Sequence, residues 1–346
     1  MSYSVSQVRP TDKRGLAEVD ALLARAGIRR DANLDYICAI YDDDYHAIAT
    51  GSCFCNTLRC FAVSGEHQGE GLLNAIVTHL LDVQSERGNL HLFLYTKIAS
   101  AAFFADLGFH EIARVAETLV FMENRRDGFG KYLRDLSAWK RPGRAAAVVM
   151  NANPFTLGHR YLVETASAAC DTLHLFVVSE DASLIPFAVR KRLIREGTAD
   201  LPNVILHDSG PYLISSATFP SYFLRDETAV IEGHARLDVA IFTQIAAALE
   251  IKARYVGGEP DSKVTGLYNQ IMRAELPKAG IDCVVIPRKT YGGAPVSAST
   301  VRKLIQDGDF DALRNLLPDT TYDYFTSAEA APVMERIRKA GDVKHY

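Results

Sequence analysis

Two phrases carry the side chains best suited to chemistry: NANPFTLGHRYLVETA, starting at Asn151, and VSASTVRKLI, Val296 to Ile305. The first follows the apolar run AAAVVM and reads as a strand turning into a helix. Such a turn gathers backbone N–H groups that lack intrahelical partners, and the helix dipole adds partial positive charge, so phosphate binds there. Thr156 and His159, three apart, share a helical face and converge on one ligand, with Gly158 permitting its close approach. An imidazole in that place donates to a phosphoryl oxygen as charge develops. Asn153 and Phe155 belong to the same turn and count as nucleotide-binding candidates. A histidine that merely caps or packs on a helix has the same local look.

In the second phrase Val301, Leu304 and Ile305 keep helical spacing on one face, Ser297 or Ser299 caps the start, and Arg302 projects from the other face. With Thr300, these hydroxyls, first-turn N–H groups and a guanidinium make an anion cradle, suited to a diphosphate leaving with its negative charge. A capped surface helix is the plainer alternative. Between the two phrases, Gly257 and Gly258 follow the strand ARYV and should reach the crevice beyond the sheet, where open α/β folds bind ligands. Glu259 and Asp261 could hold Mg²⁺ or ribose hydroxyls, or be a polar loop. Arg190 and Arg288, the latter followed by Lys289, are further phosphate-facing candidates; the alternative for each is a solvated surface charge.

These residues must be positioned by a framework, and the chain is long enough to build one. It has 346 residues, 48% hydrophobic and 23% charged, with 38 Lys+Arg against 42 Asp+Glu for a net charge of −4. At roughly 100–200 residues per domain this predicts two domains, each burying its own core. The near-balanced charge, without like-charge runs, argues against nucleic acid or anionic membrane as partner. No stretch approaches the roughly 20 apolar residues that span a bilayer, and the polar start MSYSVSQVRPTDKRG lacks a signal-peptide core; the expected compartment is cytoplasmic. Six cysteines occur. Cys53, Cys55 and Cys60 lack a zinc-like spacing and read as reduced apolar fillers in paired strands. Residues 1–125 mix strands and helices; 126–144, charged and broken by Gly and Pro, read as a connector; from Ala145 strands and helices alternate, which predicts a parallel sheet flanked by helices.

Thr-x-Gly-His after the first strand resembles the His-x-Gly-His motif of the nucleotidyltransferase superfamily, and VSASTVR resembles its closing Ser-x-Ser-x-x-Arg signature. By that resemblance His159 stabilises the α-phosphate and Thr156 takes the place of the first histidine. FPSYFL, YVGGEPDSKVTGLYNQIM, IPRK and VSASTVR together resemble the [citrate (pro-3S)-lyase] ligase family over nearly the whole chain. Residues 60–115 are similar to the N-acetyltransferase (GNAT) fold, with Glu66-His67-Gln68-Gly69-Glu70-Gly71 standing where that fold has its pyrophosphate-binding turn. The resemblance implies an α/β chain: a GNAT-like α+β domain, then a Rossmann-like nucleotidyltransferase domain over 145–346. It also implies ATP with Mg²⁺, acetate, and as acceptor the CoA-like prosthetic thiol on the acyl-carrier subunit of citrate lyase. Two other functions stand as alternatives: a nucleotidyltransferase making a dinucleotide or CoA precursor, which would use the same His159 and Arg302, and a GNAT acetyltransferase or non-catalytic nucleotide-sensing module.

Overall fold

A computed structural model describes residues 3–179, 183–213, 219, 222, 227–258 and 263–340. The chain divides into two compact units: Met1–Gly130 with Pro220–Gly233, and Lys131–Phe219 with His234–Tyr346.

The first unit is built on a seven-stranded sheet: β1 (Ser6–Gln7), β2 (Tyr36–Tyr41), β3 (Ala47–Phe54), β4 (Thr57–Val63), β5 (Phe93–Thr96), β6 (His110–Val115) and β7 (Leu119–Glu123), in the order β1-β2-β3-β4-β5-β7-β6. Its helices are α1 (Lys13–Arg25), α2 (Leu72–Glu86) and α3 (Ile98–Asp106). All ladders are antiparallel except β4 with β5, which pair in parallel only at Thr57–Phe93 and Leu58–Leu94. Beyond Leu58 the two strands part. This is a mixed α+β arrangement. The parting leaves a cavity of about 510 Å³ lined by Phe61 to Val63 of β4, Tyr95 and Thr96 of β5, Phe103 and Phe104 of α3, and Tyr222. At its rim stand Gly69 and Gly71, both with positive φ, the second forming the N-cap of α2 without any side-chain cap. Cys38, Cys53 and Cys60 are buried and Cys55 is exposed; among the described residues no three His, Cys, Asp or Glu gather as a metal would need.

The stretch 126–144, expected as a connector, is largely helical. Helix α4 (Gly128–Ser137) occupies most of that stretch and buries Phe129 and Leu136. The boundary between units falls inside it, at Gly130 and Lys131.

The second unit holds a five-stranded sheet whose pairings are all parallel. Its strands are β8 (Ala145–Met150), β9 (Thr172–Val177), β10 (Val204–Asp208), β11 (Ile251–Gly257) and β12 (Asp282–Ile286), in the order β10-β9-β8-β11-β12. They are short apolar runs because helices cover a parallel sheet on both faces. Among those helices are α5 (Leu157–Ala168), α6 (Phe187–Gly197), α7 (Glu227–Leu249, of this unit from His234 on), α8 (Lys263–Glu275) and α9 (Ala298–Asp307). Val148, Phe155, Val163, Leu175, Tyr255, Val301 and Ile305 share one core. The strand order reverses direction at β8, so the crevice beyond the carboxyl ends of β8 and β11 is the switch point where such sheets take ligands. After α9 come α10 (Phe310–Leu313), α11 (Asp319–Thr326) and α12 (Ala331–Lys339), which sequence patterning did not resolve. Among the described residues no helix is long and apolar enough to cross a membrane.

Candidate active site

Thr156 closes the turn after β8 and starts α5. It is the N-cap: its hydroxyl accepts the His159 N–H at 3.4 Å, and its own N–H donates to His159 Nδ1 at 3.1 Å, with Oγ1 2.9 Å from the same nitrogen. A backbone N–H only donates, so Nδ1 is the unprotonated nitrogen and a neutral ring carries its proton on Nε2. Burial, and after it the charge of Arg288, push the His159 pKa down to about 4, so at neutral pH the ring is an uncharged Nε2–H donor. Phe155 stacks on the imidazole with centroids 6.0 Å apart and planes 22° from parallel.

Two expectations for this turn need correction. Thr156 is only 1% exposed and its hydroxyl is engaged with His159, so it positions the imidazole and does not face a ligand. Phe155 is wholly buried in the core and supports the ring from below; its side chain has no surface for a nucleotide.

The second phrase arrives where the first needs it. Ser297 caps α9, accepting the Thr300 N–H at 3.1 Å, and its hydroxyl lies 2.8 Å from both Ser299 Oγ and Thr300 Oγ1; Ser299 and Thr300 are exposed. The carbonyl of Val296, just before the cap, lies so close to Gly158 that a Cβ there would stand 2.8 Å from it. Gly158 therefore admits the other motif's backbone. Arg302 is 7% exposed and donates from Nη1 to the Asn153 carbonyl at 2.6 Å. The imidazole and this guanidinium are thus both fixed to the Asn153–Thr156 turn. Burial lowers the Arg302 pKa, and among the described residues no carboxylate pairs with it. A buried guanidinium without a counter-ion is costly, and an anion in the crevice relieves that cost.

β11 ends at Gly257, whose Cβ position faces open space. Asn269 donates to the Gly257 carbonyl at 3.0 Å, Gly258 N–H donates to Ile286 at 2.8 Å, and Arg288 Nε donates to the Gly258 carbonyl at 2.9 Å. Arg288 is thereby held at the end of β12, near enough to His159 to disfavour imidazolium. Asn153 accepts the Ile185 N–H on Oδ1 at 3.1 Å while its Nδ2 is buried without a partner among the described residues.

Arg190 requires a third correction. It has no exposed surface, and its guanidinium donates to the carbonyls of Ile185, Asn151 and Val178 at 2.9 to 3.0 Å. It is an internal strut, not a phosphate-facing charge. Sequence reasoning also passed over Asn151, the first residue beyond β8, which its place at the switch point alone could have marked.

Glu259 and Asp261 lie outside the described residues. The described groups around the crevice are hydroxyls, N–H groups, an imidazole and guanidinia, a donor set for anions and not for a hard divalent cation. Mg²⁺ has no fitted place among them.

The described site is a parallel α/β sheet with two side-chain-capped helix starts and a buried arginine, without a carboxylate partner among the described residues, at its switch point. Residues 145–325 match the family described as the citrate lyase ligase C-terminal domain. The [citrate [pro-3S]-lyase] ligase of Klebsiella pneumoniae is 40% identical over 319 residues, 90% of this chain and 93% of that protein. That of Escherichia coli strain K12 is 37% identical over 92% of each. A solved GNAT family N-acetyltransferase of Escherichia coli, in complex with CoA, aligns over 36% of this chain and 83% of its own, at 19% identity and a TM-score of 0.29. The chain belongs to the citrate lyase ligase family and is an enzyme of that family.

Proposed function

We propose that this protein joins acetate to the CoA-like prosthetic thiol on the acyl-carrier subunit of citrate lyase, using ATP and releasing AMP and diphosphate, in the cytoplasm. An acetate oxygen attacks the α-phosphorus, the bond to the β-phosphate breaks, and diphosphate departs, leaving acetyl-adenylate. The carrier thiol, losing its proton, then attacks the acetyl carbonyl and AMP leaves. Neither step requires a protein nucleophile; both require positioning and charge stabilisation. The observation that carries the reading is the buried Arg302, without a carboxylate partner among the described residues, fixed to the same turn as a neutral His159. His159 Nε2–H donates to an α-phosphate oxygen as it gains charge. Arg302, Arg288, Ser297, Ser299, Thr300 and the first-turn N–H groups of α9 receive the departing phosphates. Mg²⁺ accompanies the nucleotide. For the carrier arm, the cavity of the first unit supplies the place: it opens where the strands part after Leu58, and the start of α2, which has no side-chain cap, suits the arm's phosphate.

The two half-reactions separate the roles. In the full chain, His159→Ala should lower acetate-dependent ATP/diphosphate exchange on the order of 10² to 10³ while the fold persists, the loss found for one preorganised donor. Ser100→Trp, which fills the first unit's cavity, should spare exchange and depress acetylation of the carrier. Exchange at the wild-type rate in His159→Ala, or exchange that needs a phosphate monoester and not acetate, would sink the adenylating reading. Full carrier acetylation by Ser100→Trp would sink the role given to the cavity.

A further inference from the structure

Displacement at phosphorus runs in line, so the attacking acid must stand opposite the departing diphosphate. The groups suited to the diphosphate, Arg288 and the start of α9, follow β12 in the chain, and β12 and β11 lie to one side of β8. β9 and β10 lie to the other side. At the boundary, on the first residue past β8, is Asn151. Its Nδ2 donates to Ser183 Oγ at 2.9 Å, and the Ser183 hydroxyl donates back to Asn151 Oδ1 at 3.2 Å. Both residues are half-buried, so the pair is shielded without being sealed.

The pair is rigidly founded. Arg190 ties the Asn151 carbonyl to that of Val178, just after β9, and to that of Ile185, two residues beyond Ser183. One planar guanidinium thus fixes the chain on both sides of the Asn151–Ser183 contact. A carboxamide has two N–H groups, and only one is engaged with Ser183. Neutral donors suit an attacking carboxylate: they orient one oxygen while leaving the other its lone pairs, where a cation would hold both.

We propose that Asn151 and Ser183 form the subsite for the carboxylate of the acyl substrate, a small monocarboxylate such as acetate, with Arg190 as its positioning residue. This rests on the adenylating reading. The second Nδ2 hydrogen holds one carboxylate oxygen while Ser183, bonded to both ends of the carboxamide, fixes its orientation; the other carboxylate oxygen forms the new bond to the α-phosphorus as the bond to the β-phosphate breaks.

The test measures ATP/diphosphate exchange by the full chain, varying acetate at saturating ATP and ATP at saturating acetate, for wild type, Asn151→Ala, Asn151→Asp and Ser183→Ala. Asn151→Ala should raise the acetate KM about tenfold to a hundredfold, the worth of a hydrogen bond to an ion, with the ATP KM changed by less than about twofold. Asn151→Asp keeps the shape and adds a repelling charge, so its acetate KM should rise further. Ser183→Ala supplies the same readout should Asn151 variants not fold. An acetate KM that stays at the wild-type value, or an ATP KM that rises in parallel, overturns the assignment while wild-type exchange leaves the adenylating reading standing. Absence of acetate-dependent exchange in the wild type overturns both.

Discussion

Nδ1 of His159 accepts a main-chain N–H, so the ring's remaining hydrogen has only Nε2 to occupy, and the low pKa keeps it there at neutral pH. Burial is the larger cause and the Arg288 charge the smaller. Arg288→Gln should therefore raise the His159 pKa only part of the way toward its ordinary value; ring titration followed by NMR in both proteins checks this. A wild-type ring that titrates near 6.5, or one protonated on Nδ1 at neutral pH, would refute the assignment. Spacing alone brought Thr156 and His159 to one face, but it could not say that the threonine's hydroxyl turns to the histidine. Arg190 was misread for a related reason. An arginine in the first turn of a helix looks solvated, and only the folded chain reveals the three carbonyls that enclose it.

Among the elements, what matters is how closely α5 and α9 start together. The carbonyl of Val296 touches the space where Gly158 lacks a Cβ, one residue before the cap of α9 and one before His159. Gly158→Ala places a methyl 2.8 Å from that backbone oxygen, and backbone moves only by shifting a helix. Overpacking of this kind costs about 1–3 kcal/mol. Urea unfolding should register that loss, and exchange activity should fall because the imidazole and the α9 cradle are forced apart. Wild-type exchange by a folded Gly158→Ala protein would show that the close approach has no catalytic consequence. The β8–α5–β9 unit was legible because apolar runs and a 3.6-residue period follow one another cleanly there. α4 was not, since its glycines and charges mask an amphipathic face of which only Phe129 and Leu136 are buried. Nor was the β4–β5 parting, which depends on pairing across distant segments and leaves no local pattern.

For the molecule as a whole, acid should act on the second unit. That unit contains His159 and a buried pair, His174 and His207, whose rings share a hydrogen bond of 2.9 Å. Burial holds the pKa of both well below the ordinary value, with the charge of Arg141 adding to it for His174 and that of His207's partner for His207. In the unfolded chain each ring takes a proton near pH 6.5. Between there and about pH 4, where His159 titrates, the unfolded state binds more protons than the folded one, so stability falls as pH falls through that window and is fully present above it. The chain's single tryptophan, Trp139, stands edge-on to His207 with ring centroids 6.0 Å apart, so its fluorescence follows this unit. Its urea midpoint should drop steeply from pH 7 to pH 4.5. Replacing both partners, His174→Leu with His207→Phe, removes the titrating pair without stranding a polar group, and should flatten much of that slope while His159 retains its share. An equally steep fall in the double variant would mean that other groups govern the acid response.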